Sequence, residues 1–167
     1  LIKIVGEVGS GKTLLCRRFL ASLRDEATVT AYIPNPLLEP RMLLLAVADE
    51  LGISLDKYDY QFHLIKALNE KLLEYADAGK RVIVCIDEAQ AIPLESLEAL
   101  RLLSNLETEK RKLMQIVLFG QPELDVKLDD PSVRQLRQRI AFSYRLSGLR
   151  RGEVDHYLNH RLRVAGF

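Results

Sequence analysis

The sequence contains only two cysteines, Cys16 and Cys85, which are too few for a disulfide framework. One falls in a predicted helix and the other in an apolar strand, so we expect two small buried hydrophobic residues in a reducing cytosol. Apolar runs long enough to cross a bilayer are absent, and these residues include no secretory signal. The absences exclude a disulfide-bonded scaffold and a transmembrane helix within this sequence.

A net charge is also nearly absent, because 24 lysines and arginines are balanced by 23 acidic residues. The total therefore gives no indication of a nucleic acid or an anionic membrane as partner. The distribution is less even, since the stretch from Arg134 to Arg163 holds eight arginines and only two acids, Glu153 and Asp155. Such a stretch forms either a solvated face or a contact surface.

Strands and helices alternate along the chain, with no internal repeat and no low-complexity segment. A length of 167 residues suits one domain, or one domain with a fragment of a second. Because the sequence opens inside a strand and ends just after a helix, we expect a piece of a longer protein. The alternation is typical of α/β proteins whose parallel sheet is covered on both faces. The pattern predicts strands at 1–6, 28–33, 81–86, 115–120 and 140–146, and helices at 12–23, 42–51, 61–78, 94–106, 132–138 and 152–164.

A glycine-rich motif follows the first predicted strand and opens the first predicted helix. Residues Gly6 to Thr13 read Gly-Glu-Val-Gly-Ser-Gly-Lys-Thr and match G-x-x-x-x-G-K-[ST]. Glycines let the backbone wrap closely around a phosphate, and successive N–H groups together with the positive end of the helix bind the anion. We expect Lys12 to reach the β and γ phosphates of ATP, and the Thr13 hydroxyl to ligate Mg²⁺. The predicted nucleotide-binding residues are Gly6, Glu7, Val8, Gly9, Ser10, Gly11, Lys12, Thr13 and Leu14.

Two acids, Asp87 and Glu88, follow the predicted strand 81–86. Asp87 can hold Mg²⁺ through water, and Glu88 can orient or deprotonate the attacking water. The alternative is that both acids only stabilise the N-terminus of the helix that follows Pro93. Combined with the glycine-rich motif, the pair indicates an ATP hydrolase of the additional-strand type rather than a nucleotide kinase or a GTPase.

Gln121 and three arginines have both a catalytic and a structural interpretation. Gln121 follows the strand 115–120. In parallel sheets of this type, that strand lies between the strand before the glycine-rich motif, known as the P-loop, and the strand before the two acids. Its side chain would meet the γ phosphate and the attacking water, or it is an ordinary loop residue. Arg134, Arg137 and Arg139 precede the last strand. One of them, Arg139 above all, can be presented to the ATP of a neighbouring subunit, or the three form a solvated face.

Weaker candidates are one asparagine and a pair of histidines. Asn35, at the tip of the second strand, either contacts Glu88 and gates it or is a turn residue between two prolines, the interpretation we favour. His156 and His160 have the i, i+4 spacing of metal ligands. No third ligand is evident near them, so we favour an ordinary surface helix there.

Several stretches resemble the AAA+ ATPases of the ExeA/GspA type, the general secretion pathway A proteins that serve type II secretion. The resemblance covers nearly the whole chain, including the P-loop, and is strongest toward the ATPases of mannose-sensitive haemagglutinin pilus biogenesis. This group of proteins is also similar to the TniB-like transposition ATPases. The quoted stretches are Leu100-Arg-Leu-Leu-Ser-Asn-Leu-Glu-Thr-Glu109, Gln115-Ile-Val-Leu-Phe-Gly-Gln-Pro-Glu-Leu124, Leu136-Arg-Gln-Arg-Ile140 and the lid-like Asn159-His-Arg-Leu-Arg-Val-Ala-Gly166.

The resemblance implies a P-loop NTPase fold of three α/β/α layers, with five parallel strands in the order 5-1-4-3-2. It places the nucleotide-binding core at 1–147 and the beginning of a helical lid at 148–167. It implies that Lys12 and Thr13 form the Walker A pair, and Asp87 and Glu88 the Walker B pair. Gln121 then stands where a sensor-1 asparagine or threonine is usual. Arg139 matches the arginine-finger position.

The implied activity is Mg²⁺-dependent ATP hydrolysis as a motor or switch in assembly of a type II secretion or pilus apparatus. Its implied partners are membrane-associated components at the cytoplasmic face of the bacterial inner membrane, and further copies of itself in a ring of about six. Two alternatives are a DNA-binding transposition ATPase and a nucleotide-gated adaptor that scarcely hydrolyses ATP. For DNA we expect weak binding at most.

Overall fold

A five-stranded parallel sheet organises the chain in the computed structural model, which describes residues 1–53, 61–108 and 112–166. The strands are β1 (Ile2–Gly6), β2 (Thr28–Ile33), β3 (Arg81–Ile86), β4 (Met114–Gly120) and β5 (Phe142–Leu146). Their order is β2-β3-β4-β1-β5, which confirms the order that the resemblance implies. The strand of the acidic pair, β3, is thus separated from the P-loop strand, β1, by β4.

Seven α-helices and two turns of 3-10 helix connect the strands in the described part of the chain. The 3-10 turns span Ala89–Ala91 and Pro131–Val133. All the predicted helices are present, with ends that move by a few residues; Glu109 of one quoted stretch and Phe167 lie outside the described residues. The helices are α1 (Lys12–Ser22), α2 (Pro40–Glu50), α3 (Gln61–Asp77), α4 (Leu94–Ser104), α5 (Glu123–Leu128), α6 (Arg134–Arg137) and α7 (Arg151–Val164).

One helix, α5, was not predicted, because the sequence pattern assigns no helix or strand between Gln121 and Pro131. The helix is only six residues long, which is too short to show a helical periodicity. Its ends nevertheless have a physical cause, since Glu123 and Asp125 lie in the first turn, where acids favour the positive end of a helix. Leu124 and Leu128 are buried and fasten it to the core.

The last strand begins later than predicted, at Phe142 instead of residue 140. Ile140 packs against the hydrophobic core, and the Ala141 N–H donates to the carbonyl of Leu1 before the regular pairing starts. From there Phe142 pairs with Ile2 and Leu146 with Gly6. Strand β5 is thus an edge strand of the sheet and lies next to the P-loop strand, β1.

The sheet has a hydrophobic core on each face. In β3, Val82 and Val84 belong to the larger core, whereas Ile83 and Cys85 belong to the smaller one. Helices α2, α3 and α4 supply buried leucines to the larger core, and α1 covers the other face. The helices therefore lie on both faces, which confirms the three-layer α/β/α arrangement.

Both cysteines lie in the smaller core, where they are fully buried and free. The hydrogen bond with Cys85, followed by burial, raises the pKa of the Cys16 thiol. The thiol therefore stays protonated and packs as a small hydrophobic group. The prediction of two buried cysteines is confirmed.

The last helix, α7, lies outside both cores, and none of its residues is buried. The Arg150 N–H donates to Glu153 Oε2 at 2.7 Å and caps the start of the helix. Its assignment as the beginning of a lid stays a prediction. No helix in the described part of the chain combines the length and apolar character needed to cross a membrane.

Candidate functional site

A cavity of about 270 Å³ opens at the carboxyl ends of β1, β3 and β4. In a parallel sheet the loops after these strands meet at one edge, which is where α/β proteins bind ligands. The cavity brings together residues that are far apart in the sequence, from the glycine-rich loop and from the tips of β3 and β4. Its lining is formed by Val8, Gly9, Gly11, Lys12, Thr13, Leu14, Glu88 and Gln121.

The glycine-rich loop adopts a backbone that other residues would strain. Gly9 has a φ of 78° and Gly11 a φ of 87°, in the left-handed region that favours glycine. A Cβ on Gly6 would meet Ser10 Oγ at 2.6 Å and the Leu146 Cβ at 2.9 Å, so that position has no room for a side chain. The glycines therefore shape the loop as the motif predicts.

Lys12 is the most informative residue of the loop, because its side chain is only 6% exposed. Its Nζ donates to the carbonyl oxygens of Gly6 and Glu7, each at 2.8 Å. Both partners are uncharged carbonyls, and the lysine lies at the start of α1, where the helix dipole is positive. The buried Ser10 hydroxyl beside it has no hydrogen-bond partner among the described residues. Positive charge and a spare donor fit an anionic group such as a phosphate.

Asp87 is buried directly after β3, with 2% of its surface exposed. Its Oδ1 accepts a hydrogen bond from the Glu88 N–H at 3.0 Å, and its Oδ2 accepts one from the Tyr32 hydroxyl at 3.3 Å. Burial, followed by the charge of Asp87, raises the pKa of the Tyr32 hydroxyl, which therefore stays a donor. Tyr32 was not among the predicted site residues, since nothing in its strand pattern distinguishes it from a packing residue.

A carboxylate and a hydroxyl oxygen are suitable Mg²⁺ ligands. Asp87 is fixed at the end of β3, and Thr13, half-buried in the first turn of α1, lines the cavity. Mg²⁺ usually keeps waters and substrate phosphates as its other ligands. The oxygen types of Thr13 and Asp87 suit Mg²⁺, although Asp87 is not among the residues that line the cavity, and their role as magnesium ligands stays a prediction.

Glu88 has a backbone conformation that stands out from the rest of the described chain. With a φ of 50° it is the one non-glycine residue there with positive φ, a conformation that concentrates at functional sites. Its Oε2 accepts hydrogen bonds from Gln90 Nε2 at 2.6 Å and from Gln121 Nε2 at 3.2 Å. The bond from Gln90, then that from Gln121 and the charge of Lys12, lowers the pKa of Glu88 against the effect of partial burial. An ionised carboxylate thus faces the same cavity as the lysine.

Gln90 is a second site residue that sequence reasoning missed. It lies two residues beyond the predicted acidic pair, and no periodicity or spacing rule marks it as functional. Gln121, by contrast, was predicted at the tip of the central strand and lies there, half-buried and bonded to Glu88. The structure therefore brings Gln121 together with Glu88, while its contact with the γ phosphate and the attacking water stays a prediction.

Arg139 lies just before β5, at the amino ends of the strands, whereas the cavity lies at their carboxyl ends. Its carbonyl accepts a hydrogen bond from the Leu1 amino group, and its guanidinium donates to the Ser104 carbonyl at 3.4 Å. Of the other two arginines, Arg137 pairs with Asp129 and Arg134 is exposed. None of the three lines the cavity of its own chain.

Asn35 and the two histidines lie apart from the residues of the cavity. Asn35 is exposed, and its Oδ1 accepts from the Leu37 N–H at 3.4 Å, as a turn residue does. Glu88, which Asn35 was considered to gate, bonds to the two glutamines. His156 and His160 lie on the exposed helix α7, and no cluster of three or more histidine, cysteine or acidic residues forms within the described ranges.

Comparison with known proteins agrees with this geometry. The family of AAA domains matches residues 1–128. Over 165 residues the chain is 46% identical to general secretion pathway protein A of Aeromonas hydrophila. The aligned region covers 99% of this chain and 30% of that protein. The chain thus spans about 30% of the length of that relative.

Two solved structures share the fold at low sequence identity. The Aeropyrum pernix ORC2 protein in its ADP form aligns with a TM-score of 0.71 and 20% identity, over 98% of this chain and 46% of that one. The Cdc6p protein of Pyrobaculum aerophilum aligns with a TM-score of 0.72 and 18% identity, over 98% and 43% of the two chains. These two likenesses show the fold alone. On the match of its residues 1–128, the chain belongs to the family of AAA domains.

Proposed function

We propose that this chain binds ATP with Mg²⁺ and hydrolyses it to ADP and phosphate. The observation that carries the proposal is one cavity lined by both Lys12 and Glu88. The first is a buried cation suited to phosphate, and the second an ionised carboxylate suited to activating water. A site for binding alone has no need of the second group. The combination therefore favours a hydrolase over an adaptor that only binds the nucleotide.

Each residue has a role in the proposed reaction that follows from its place in the cavity. Backbone N–H groups of the P-loop and the Lys12 ammonium bind the phosphates, with charge-assisted hydrogen bonds. Thr13 and Asp87 would hold Mg²⁺, which when bound offsets the charge of the phosphates. Glu88 orients the attacking water and accepts its proton, while Gln121, which lines the same cavity, contacts the γ phosphate and the same water in this proposal.

We further propose that the ATPase acts as a motor or switch in assembly of a secretion or pilus apparatus at the cytoplasmic face of the bacterial inner membrane. The support is the 46% identity to a protein named for the general secretion pathway, over 99% of this chain. The active form in this proposal is a ring of about six subunits. The more specific role in pilus assembly depends on the resemblance of the sequence motifs to those of the pilus-biogenesis ATPases.

The central test of ATP binding is the substitution Lys12→Ala. We expect ATP affinity to fall by about 100-fold or more, because charge-assisted hydrogen bonds to phosphate are lost in the ground state. Isothermal titration calorimetry of the full-length protein with ATP and Mg²⁺ measures the change. Lys66→Ala is the matched control, since Lys66 is an exposed lysine of α3 with a 3.8 Å ion pair to Glu70. An unchanged affinity in Lys12→Ala would contradict the P-loop assignment.

For DNA we expect only weak binding, with an affinity that falls steeply as salt rises. Arginines of the stretch 134–163 such as Arg150 and Arg161 are exposed and can neutralise phosphates. Among the described residues, no helix-turn-helix, the motif that many specific DNA-binding proteins use, accompanies these arginines. Fluorescence anisotropy with duplex DNA and ATP at physiological salt checks this. Submicromolar affinity there would favour the transposition ATPase instead.

A further inference from the structure

Gln90 occupies a rigid turn beside the proposed catalytic glutamate. It is the middle residue of the 3-10 turn Ala89–Ala91, which begins directly after Glu88. Lys127 of α5 fixes the backbone of this turn, because its Nζ donates to the carbonyl oxygens of Gln90 and Ile92, both at 2.6 Å. The Gln90 side chain therefore projects from a backbone that Lys127 holds through two carbonyl groups.

The two ends of the Gln90 amide group have different partners, and both belong to the site. Its Oε1 accepts from the backbone N–H of Gln121 at 3.0 Å, while its Nε2 donates to Glu88 Oε2 at 2.6 Å. The backbone of Gln121 marks the end of β4, and Glu88 marks the end of β3. One side chain thus ties the tips of two neighbouring strands and the carboxylate together.

We infer that Gln90 is a positioning residue for ATP hydrolysis, which holds the Glu88 carboxylate in the orientation that accepts a proton from water. The inference rests on the proposed function and deepens it. With Gln90 and Gln121 both donating to Oε2, the other oxygen, Oε1, accepts no hydrogen bond from the described residues. An oxygen without a protein donor is the one suited to receive a proton from water.

Gln90 and Gln121 contribute differently to the position of the Glu88 carboxylate. Their hydrogen bonds to it differ in length, and their side chains differ in their freedom to move. The Gln121 bond to Glu88 is longer, at 3.2 Å against 2.6 Å, and the Gln121 side chain also lines the cavity. Gln121 can therefore turn toward substrate, whereas Gln90 is held in place by its bond to the Gln121 backbone. Gln90 keeps Glu88 oriented in either case.

The test compares Gln90→Ala and Gln90→Met with the parent in the full-length protein. Methionine has nearly the length of glutamine but donates no hydrogen bond, so it separates the hydrogen bond from simple space filling. We expect kcat to fall by about 10- to 100-fold in both variants, since a hydrogen bond to a charged group is lost from the catalytic step. ATP affinity should stay within about 2-fold, because Gln90 does not line the phosphate cavity.

A double-substitution cycle distinguishes positioning from general stability. If Gln90 acts through Glu88, adding Gln90→Ala to Glu88→Gln should lower turnover no further, because both changes affect one step. Gln115→Ala is the matched control, since Gln115 is an exposed glutamine at the other end of β4. It should leave turnover at the parent level.

Three outcomes overturn the inference. Parent-level kcat in Gln90→Met would show that the hydrogen bond has no part in turnover. Full additivity in the double variant would show that Gln90 acts apart from Glu88. A parent protein that neither binds nor hydrolyses ATP would overturn the proposed function, and the inference with it. The first two outcomes overturn the inference and leave the proposed function standing, so the two failures are distinguishable.

Discussion

Replacing Glu88 with glutamine should leave ATP binding intact and lower ATP turnover by about 10²- to 10⁴-fold, the usual contribution of a general base. The glutamine carbonyl can still accept the hydrogen bonds that Gln90 and Gln121 donate to the carboxylate. The backbone bond to Asp87 is also unaffected. What the variant loses is the ability to accept a proton, so the defect should fall on the chemical step.

Single-turnover phosphate release, together with titration of ATP affinity, separates the two steps of binding and chemistry. Glu95→Gln is the matched control, because Glu95 is an exposed acid in the first turn of α4, away from the cavity. The two substitutions should therefore have opposite effects. Glu88→Gln should lower ATP turnover and spare ATP affinity, whereas Lys12→Ala should lower ATP affinity. Hydrolysis by Glu88→Gln at the parent rate would remove Glu88 from the catalytic role.

The parts of this site that sequence could predict are those with a local cause. The P-loop follows from glycines whose spacing fits a phosphate, and the structure places Gly9 and Gly11 at positive φ as required. The alternation of apolar strands and helices predicts a parallel sheet. Gln121 could be placed because the end of a central strand lies at the ligand-binding edge whatever the details of packing.

The parts that sequence could not predict depend on contacts between distant elements. The Tyr32 hydroxyl reaches Asp87, which is 55 residues away on the next strand, and nothing in β2 signals that contact. Gln90 is functional in our interpretation only because α5 supports its backbone, and α5 itself was missed as too short. Both contacts arise from tertiary packing, which a one-dimensional pattern does not contain.

The substitution Arg139→Ala should lower ATP turnover by about 10³-fold or more while it spares ATP affinity, as expected for an arginine finger. In the structure Arg139 lies at the amino ends of β1 and β5, whereas the P-loop follows the carboxyl end of β1. It therefore cannot serve the cavity of its own chain, but it can face the nucleotide of a neighbouring subunit. Its own contact is modest, a 3.4 Å bond to the Ser104 carbonyl. Removing it should cost little stability.

Specific activity of the parent should then rise with protein concentration, because each complete site requires two subunits. Arg134→Ala and Arg137→Ala, measured in parallel, decide which arginine of the set acts. Arg81→Ala is the control, since Arg81 is an exposed arginine at the amino end of β3 that pairs with Asp25. Full activity of a dilute monomer, or parent-level turnover in Arg139→Ala, would show that the site is not shared.

Mixing two inactive variants gives the sharpest test of a shared site. Arg139→Ala subunits keep Glu88, and Glu88→Gln subunits keep Arg139, so neither variant alone can complete a site. In a mixed assembly some interfaces combine an intact Glu88 from one subunit with an intact Arg139 from the next. Those interfaces should recover part of the parent turnover, with a maximum when the two variants are mixed in equal amounts. If both groups acted within one chain, no mixture could restore activity, because every chain would lack one of them.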